Sequence, residues 1–276
     1  MIHPERFIKT LIKKGKFDAS DIPVLSANYH THTWRCRHAE GLEREYIENA
    51  IEGGMKVLGF SDHTPYPFPK GYIHTYRMDV SQLEEYVAAI EDLKEEYRND
   101  ISIKLGLEVE YYPAYFDALI RLTDQYPFDY FILGQHFLGN EMGDAYSGMP
   151  SPSVRKLHRY VVQVNKAMDT GRFAYVAHPD LLYFVGADED YEREMRHLCI
   201  HAKKLDIPLE INFLGLYEGR HYPRQLFWKI AGEVGNKVIF GCDAHRPDMV
   251  VNPFSMQEAL KMVDRYKLER VTYLDI

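Results

Sequence analysis

Val57-Leu58-Gly59-Phe60-Ser61, followed at once by Asp62-His63, is a short apolar run that ends abruptly in an acid and an imidazole. A run of this length bounded by polar groups reads as a buried strand of a parallel sheet. The same event recurs along the chain. Glu108 stands in Gly106-Leu107-Glu108-Val109-Glu110, His136 follows Ile132-Leu133-Gly134-Gln135, and His178 sits in Ala177-His178-Pro179. Asp243 and His245 close Gly241-Cys242-Asp243-Ala244-His245, and His30-Thr31-His32 ends the earliest run.

Working outward from these endings, the expected strands are 27–32, 57–61, 101–109, 130–135, 173–177, 208–212 and 237–242, with 271–274 as a late addition. Amphipathic, helix-length segments separate them, the pattern of repeated βα units around a parallel sheet. About seven such units predict a parallel α/β barrel. Ser81-Gln82-Leu83-Glu84 is a capping box in front of Tyr86, Val87, Ile90 and Leu93, and Gly53-Gly54 stops the preceding helix. Two long loops, 64–79 and 137–152, follow strands on the face where such barrels carry their chemistry. No repeat, low-complexity tract or linker divides the sequence, so one domain over 1–276 is expected.

Composition narrows the function classes. The 276 residues are 46% hydrophobic and 27% charged, which suits a large folded domain and excludes a disordered chain. A net charge of -8 disfavours long nucleic acid, whose binding needs clustered Lys and Arg. It leaves room for a small anionic ligand, since bound metal brings its own positive charge. The segment Met1-Ile2-His3-Pro4-Glu5-Arg6-Phe7-Ile8-Lys9 lacks an apolar leader, and no stretch reaches membrane-spanning length, so a soluble cytoplasmic protein is expected. Cys36, Cys199 and Cys242 are an odd count without CxxC spacing and read as ordinary thiols.

In a strand, residues i and i+2 share a face, so His30 and His32 can meet one ion. His38 follows six residues after His32, in the loop. A single loop histidine is more often solvated than a ligand. Convergence changes that weighting, because all strand C-termini of a parallel barrel open onto one face. Seven histidines (His30, His32, His38, His63, His136, His178, His245) and two acids (Glu108, Asp243) would then gather together. Nine such groups exceed the needs of a single zinc ion and point to two or three divalent ions, with Glu108 as the bridge. Imidazole and carboxylate donors suit zinc, iron or manganese. For His158, His197 and His201 a helix surface is the better reading. No G-x-S-x-G, P-loop or H-E-x-x-H motif occurs, and Cys36 reads as a bystander thiol.

The ordered set His-x-His, His, Asp-His, Gly-x-Glu, Gln-His, Ala-His-Pro and Cys-Asp-Ala-His resembles the polymerase and histidinol phosphatase (PHP) family, over about residues 28–245. The resemblance implies a distorted (β/α)7 barrel with a trinuclear centre. It assigns His30, His32, Glu108 and Asp243 to one ion, His38, His63 and His245 to a second, and Glu108, His136 and His178 to a third. Asp243, His245 and Glu108 are the groups expected to carry catalysis. Tyr76-Arg77-Met78 and Glu110-Tyr111-Tyr112 look most like the stand-alone histidinol-phosphatases. The chain departs from the family pattern at Cys242, where Ser is commoner, and at Asn212-Phe213-Leu214-Gly215, where Asn-Thr-Ser-Gly is usual.

The expected reaction is hydrolysis of a phosphate monoester by hydroxide bridging metal ions, which also neutralise the non-bridging oxygens. Arg220 could grip the phosphate with two donors, although a solvated loop arginine is the competing reading. His221 and Arg77 are further substrate-contact candidates. With histidinol phosphate as substrate, Glu110 or Glu141 would face its amine and imidazole. Two rival readings remain: a phosphodiesterase acting on small nucleotides, and a metal-binding regulator without catalysis.

Overall fold

In the computed structural model, which describes residues 22–69, 71–143 and 146–276, eight parallel strands lie in sequence order across one curled sheet. The N-terminal segment read above for leader signals lies outside the described residues. The strands are β1 (Ala27–Asn28), β2 (Val57–His63), β3 (Ser102–Val109), β4 (Tyr130–Leu133), β5 (Tyr175–Val176), β6 (Leu209–Asn212), β7 (Lys237–Gly241) and β8 (Glu269–Arg270). Helices α1 (Glu43–Glu52), α2 (Leu83–Glu96), α3 (Phe116–Thr123), α4 (Val154–Met168) and α5 (Asp188–Lys204) connect the first six. Helices α6 (Phe213–Glu218) and α7 (Gln225–Val234) lie between β6 and β7, and α8 (Pro253–Tyr266) precedes β8. This is the expected TIM-like α/β barrel of seven βα units, with one extra strand.

The ring closes at its C-terminal rim. Thr31 and Ala244 form a parallel bridge between the continuations of β1 and β7, with His32 N donating to Ala244 O at 3.0 Å. β1 is much shorter than expected because Asn28 replaces backbone pairing. Its Oδ1 accepts from Cys242 N at 2.9 Å, and its Nδ2 donates to Thr31 Oγ1 at 2.7 Å. That amide carries the chain through a change of facing between Tyr29, which packs in the barrel, and His30, which turns to the rim.

β8 starts two residues and ends four residues earlier than the expected 271–274: Glu269 and Arg270 pair with Lys237 and Val238. Beyond it the chain tucks under the barrel, where Leu274 N donates to the Tyr29 hydroxyl at 3.1 Å. The start of α2 also shifts. Asp79 and Gln82 make the box, Gln82 Oε1 accepting from Asp79 N at 2.9 Å, and a short 3-10 turn over Val80–Gln82 leads into the helix.

Elsewhere local chemistry and packing agree. The Ser153 hydroxyl caps α4 by accepting from Lys156 N, and Leu157, Tyr160, Val161, Val164 and Met168 form its buried stripe at helical spacing. Each such side chain contributes about 1.5–3 kcal/mol through burial. The neighbouring α5 opens with Asp188, Glu189 and Asp190 and closes with His201, Lys203 and Lys204, matching the helix dipole.

Two apolar cores result. The larger lies between sheet and helices, and the smaller fills the barrel with Ala27, Tyr29, Tyr130, Ile132, Tyr175, Ala177 and Ile239. Among the described residues no helix is long and apolar enough to cross a membrane.

Candidate metal centre

Immediately above the inner core, β2, β3 and the segments that continue β1, β4, β5 and β7 each deliver a donor to the rim. Glu108, on the last full turn of the pleat in β3, is fully buried at the middle. His178 Nε2 lies 2.9 Å from its Oε1, His63 Nδ1 lies 2.9 Å from its Oε2, and His136 Nε2 lies 3.5 Å from Oε1. His30 Nε2 stands 3.6 Å from both Glu108 and Asp243, and His32 Nε2 stands 3.1 Å from Asp243. His38 and His245 face each other with their Nε2 atoms 2.9 Å apart. All nine residues expected from the sequence therefore come together.

Room for the two deepest carboxylates is made by neighbouring strands. A Cβ at Gly134 would overlap the Glu108 carboxylate, and one at Gly241 would overlap that of Glu210. The backbone is bent into the left-handed region at Asp243 (φ 50°) and His178 (φ 28°), an unfavourable conformation that the surrounding structure must hold.

The test of whether these residues suit metal is what their buried atoms lack. Both Glu108 oxygens, His30 Nε2, both His32 nitrogens and His63 Nδ1 are buried without an aligned hydrogen-bond partner. Unpaired polar atoms are costly inside a protein, and their close approach without hydrogen-bond geometry is what donors converging on a shared cation require. His38, His63 and His245 form one group with ligand atoms within 4.8 Å of one another. His30, His32 and Glu108 form another, as do His63, Glu108 and His136, and His30, His178 and Asp243. The site can hold several metal ions.

Charge tells the same story. Burial pushes the Glu108 carboxyl up, but His136, His63 and His30 outweigh it and hold it well below the usual carboxylate range. Asp243 is likewise pushed up by burial and held well down by His30 and His32. Burial lowers His32, yet Asp243 and Asp62 raise it to about 9. Burial also works against protonated His30, but Glu210, Asp243 and Glu108 hold it well above its ordinary value. The carboxylates thus demand positive charge at this point, which a bound cation would supply in place of protons.

Behind the donors stands a set of acids that the sequence reading did not assign. Glu210 Oε2 meets His30 Nδ1 at 2.8 Å, Asp62 Oδ1 faces His32 Nδ1 at 3.5 Å, and Glu110 Oε1 meets His136 Nδ1 at 3.0 Å. Backbone carbonyls do the same for His38, through Cys36, and for His245, through Asp243. Such partners fix which nitrogen faces a metal. The alternation of β6 was the available signal for Glu210, two residues before Asn212 on the same face. Cys36 lies within reach of His32 and His245, with its thiol pushed well up by burial.

A cavity of about 530 Å³ opens above the centre. Arg220 lines it, with Nε donating to Glu218 at 2.7 Å and Nη1 donating to the Tyr222 hydroxyl at 2.7 Å. The other two substrate-contact candidates are placed differently. His221 stacks on Tyr183 and directs Nε2 to Leu181 O at 2.7 Å, outside the lining. Arg77 is fully buried behind Tyr76, its guanidinium taken by Glu110 and Glu141. Those two acids are therefore enclosed as well and do not form the anionic wall expected of them. Among the described residues the acids lining the cavity are Asp243 of the centre and, on the wall, Glu40 and Glu218, beside the aromatic rings of Tyr76, Phe137, Tyr146 and Tyr222.

The PHP domain family matches residues 28–213. A protein of Deinococcus radiodurans named "Probable histidinol-phosphatase" is 30% identical over 241 residues, covering 85% of this chain and 91% of its own length. The histidinol-phosphatase of Bacillus subtilis is 26% identical, covering 79% of this chain and 92% of its own. Among solved structures, histidinol phosphate phosphatase of Lactococcus lactis, complexed with zinc, L-histidinol and phosphate, has the same fold. Its TM-score is 0.71 at 19% identity, over 92% of this chain and all of that one.

Proposed function

The chain belongs to the PHP domain family, and on that premise we propose that it is a metal-dependent histidinol-phosphatase, cleaving L-histidinol phosphate to L-histidinol and phosphate. The observation that carries this reading is the cluster of buried, unpartnered imidazole and carboxylate atoms at the floor of a cavity whose wall holds an arginine.

In this reading His30, His32, Glu108 and Asp243 hold one divalent ion, His38, His63 and His245 a second, and Glu108, His136 and His178 a third, with zinc, iron or manganese as candidates. Bound there, the ions would activate water for attack on phosphorus and neutralise charge on the phosphoryl oxygens. Glu210, Asp62 and Glu110 orient the imidazoles and keep their outward nitrogens available. Arg220 spends Nε and Nη1 on Glu218 and Tyr222, which sets the plane of the guanidinium and leaves Nη2 for a phosphate oxygen. Glu40 and Glu218 offer negative charge to the amine and imidazole of histidinol, and the aromatic wall offers stacking surface. The three cysteines are free and buried, in keeping with a cytoplasmic location.

The reading is tested by phosphate release from L-histidinol phosphate beside a panel of other phosphomonoesters and small nucleotides, with Asp243→Asn as control. Release concentrated on histidinol phosphate and lost in the control is expected. Release from nucleotides alone would replace the substrate assignment with a phosphodiesterase or nucleotidase, and no release from any ester would leave a metal-binding protein without catalysis.

A further inference from the structure

The guanidinium of Arg77 is enclosed on all sides and shared among partners from three segments. Nη1 donates to Thr64 O at 2.6 Å and Glu110 Oε2 at 3.0 Å. Nη2 donates to Glu110 Oε1 at 2.8 Å, to Glu141 Oε2 at 2.5 Å, and to the Tyr76 hydroxyl. Glu110 follows the end of β3, Glu141 belongs to the loop after β4, and Arg77 itself lies in the loop after β2.

Both carboxylates have a second task. Glu110 Oε1 also meets His136 Nδ1 at 3.0 Å, which aims the opposite ring nitrogen at Glu108. Glu141 also accepts from the Tyr76 hydroxyl at 2.5 Å and meets His74 Nδ1 at 3.0 Å. Tyr76 stacks on Phe137 with ring centroids 5.6 Å apart, and both rings line the cavity, one from each loop. One buried cation thus stands one contact away from a metal-facing imidazole and one contact away from the aromatic wall.

We propose that Arg77 is a positioning residue that couples these two: through Glu110 it fixes His136 for metal, and through Glu141 it fastens the two loops into the cavity wall. The inference rests on the metal-centre reading given above. Two buried carboxylates that share one guanidinium both lose its donors when it is removed. Glu110 is anchored at a strand end, so Glu141 and its loop are the part released when that cation is lost. Lysine keeps the charge but presents a single point, which cannot hold two carboxylates and a carbonyl in one plane.

The experiment compares Arg77→Lys, Glu110→Gln and Glu141→Gln in the full-length metal-loaded protein. Metal content is read by elemental analysis after dialysis against a graded chelator. KM and kcat are read with L-histidinol phosphate and, separately, with p-nitrophenyl phosphate, and thermal unfolding monitors the fold. Glu110→Gln is expected to weaken retention of one ion by about 10–100-fold with little change in KM. Glu141→Gln is expected to raise KM about tenfold with all metal retained, the scale of one contact. Arg77→Lys should show both effects. Full metal retention and native KM in Arg77→Lys would overturn the coupling, and so would a lowered unfolding temperature with neither effect. Should the wild-type protein leave histidinol phosphate intact, the substrate assignment falls, while metal retention and the second ester still decide the role of Arg77.

Discussion

Along the same strands the barrel changes character within a few residues: Tyr29, Tyr130 and Tyr175 fill it low down, whereas Glu108, Glu210 and Asp243 fill it at the rim. Both layers are made possible in the same way. A Cβ at Gly59 or Gly106 would run into the Tyr130 ring, just as one at Gly134 or Gly241 would run into a carboxylate. The layers differ in how completely they are satisfied. Below, the Tyr130 hydroxyl donates to Tyr29 O at 2.7 Å and the Tyr29 hydroxyl accepts from Leu274 N, which leaves the Tyr175 hydroxyl as the one unpartnered tyrosine oxygen of the three. Above, the Glu108 oxygens and several imidazole nitrogens are left wanting. One packing device therefore serves stability in one layer and ligand binding in the next, and substitutions should separate the two.

The sharpest separation comes from Glu108→Gln. Loss of the central carboxylate should cost several kcal/mol of transition-state stabilisation, about 10³-fold in kcat, while chelator-treated protein unfolds no earlier than wild type. Steady-state kinetics beside thermal melts would check this, and an early melt would mean that the rim also holds up the fold. Gly134→Ala moves the same carboxylate without removing it and should cost about 10²-fold in kcat/KM. In Arg220→Ala neither layer is touched, so a rise in KM of about tenfold with metal content unchanged is expected, and an unchanged KM would remove Arg220 from substrate binding.

The mirror image of Gly134→Ala is Gly106→Ala. There the overlap is with Tyr130, so a stability loss of about 1–3 kcal/mol in denaturant titration is expected, with kcat kept in the folded fraction. The smallest effect concerns acid. Burial pushes Glu141 up, but His74, Arg77 and Tyr76 outweigh it and bring its carboxyl to about 2 from an ordinary 4.5. A depressed carboxyl contributes stability that is present above pH 4.5 and lost as pH falls towards 2. Glu141→Gln should remove that part of the slope from an acid unfolding series.

The rim was legible in the sequence because its signal is repeated: His30-Thr31-His32, Asp62-His63, His136, His178 and Asp243 to His245 each end an apolar run. Topology alone brings such endings together. What stands behind them was less visible. Glu210 sits inside a strand, where a single buried acid carries no periodic mark, and its task depends on the facing of His30, which Asn28 resets by a side-chain hydrogen bond. Arg77, a further candidate for substrate contact, lies in a loop, where arginine is normally exposed, and only the packing of two loops against each other encloses it. The last strand escaped for a different reason. Its residues, Glu269 and Arg270, are exposed and charged, and they pair through the backbone with Arg270 laid over the Phe240 ring, so side-chain preference for 271–274 pointed past them.

The bridge between Thr31 and Ala244 has a bearing on the order of assembly. Asn28 and Cys242, hydrogen-bonded across the same seam, stand 214 residues apart in a sequence of 276. Contacts of such separation are slow to form because most of the chain must already be ordered to bring their partners together. During synthesis the histidines that follow the first strand wait for Asp243 and His245, which emerge more than 200 residues later. Until then the growing polypeptide carries imidazoles without their complement. A metal ion held by residues from both sides of the seam thus certifies a closed ring, and a chain that stalls before Asp243 and His245 lacks two of the nine donors.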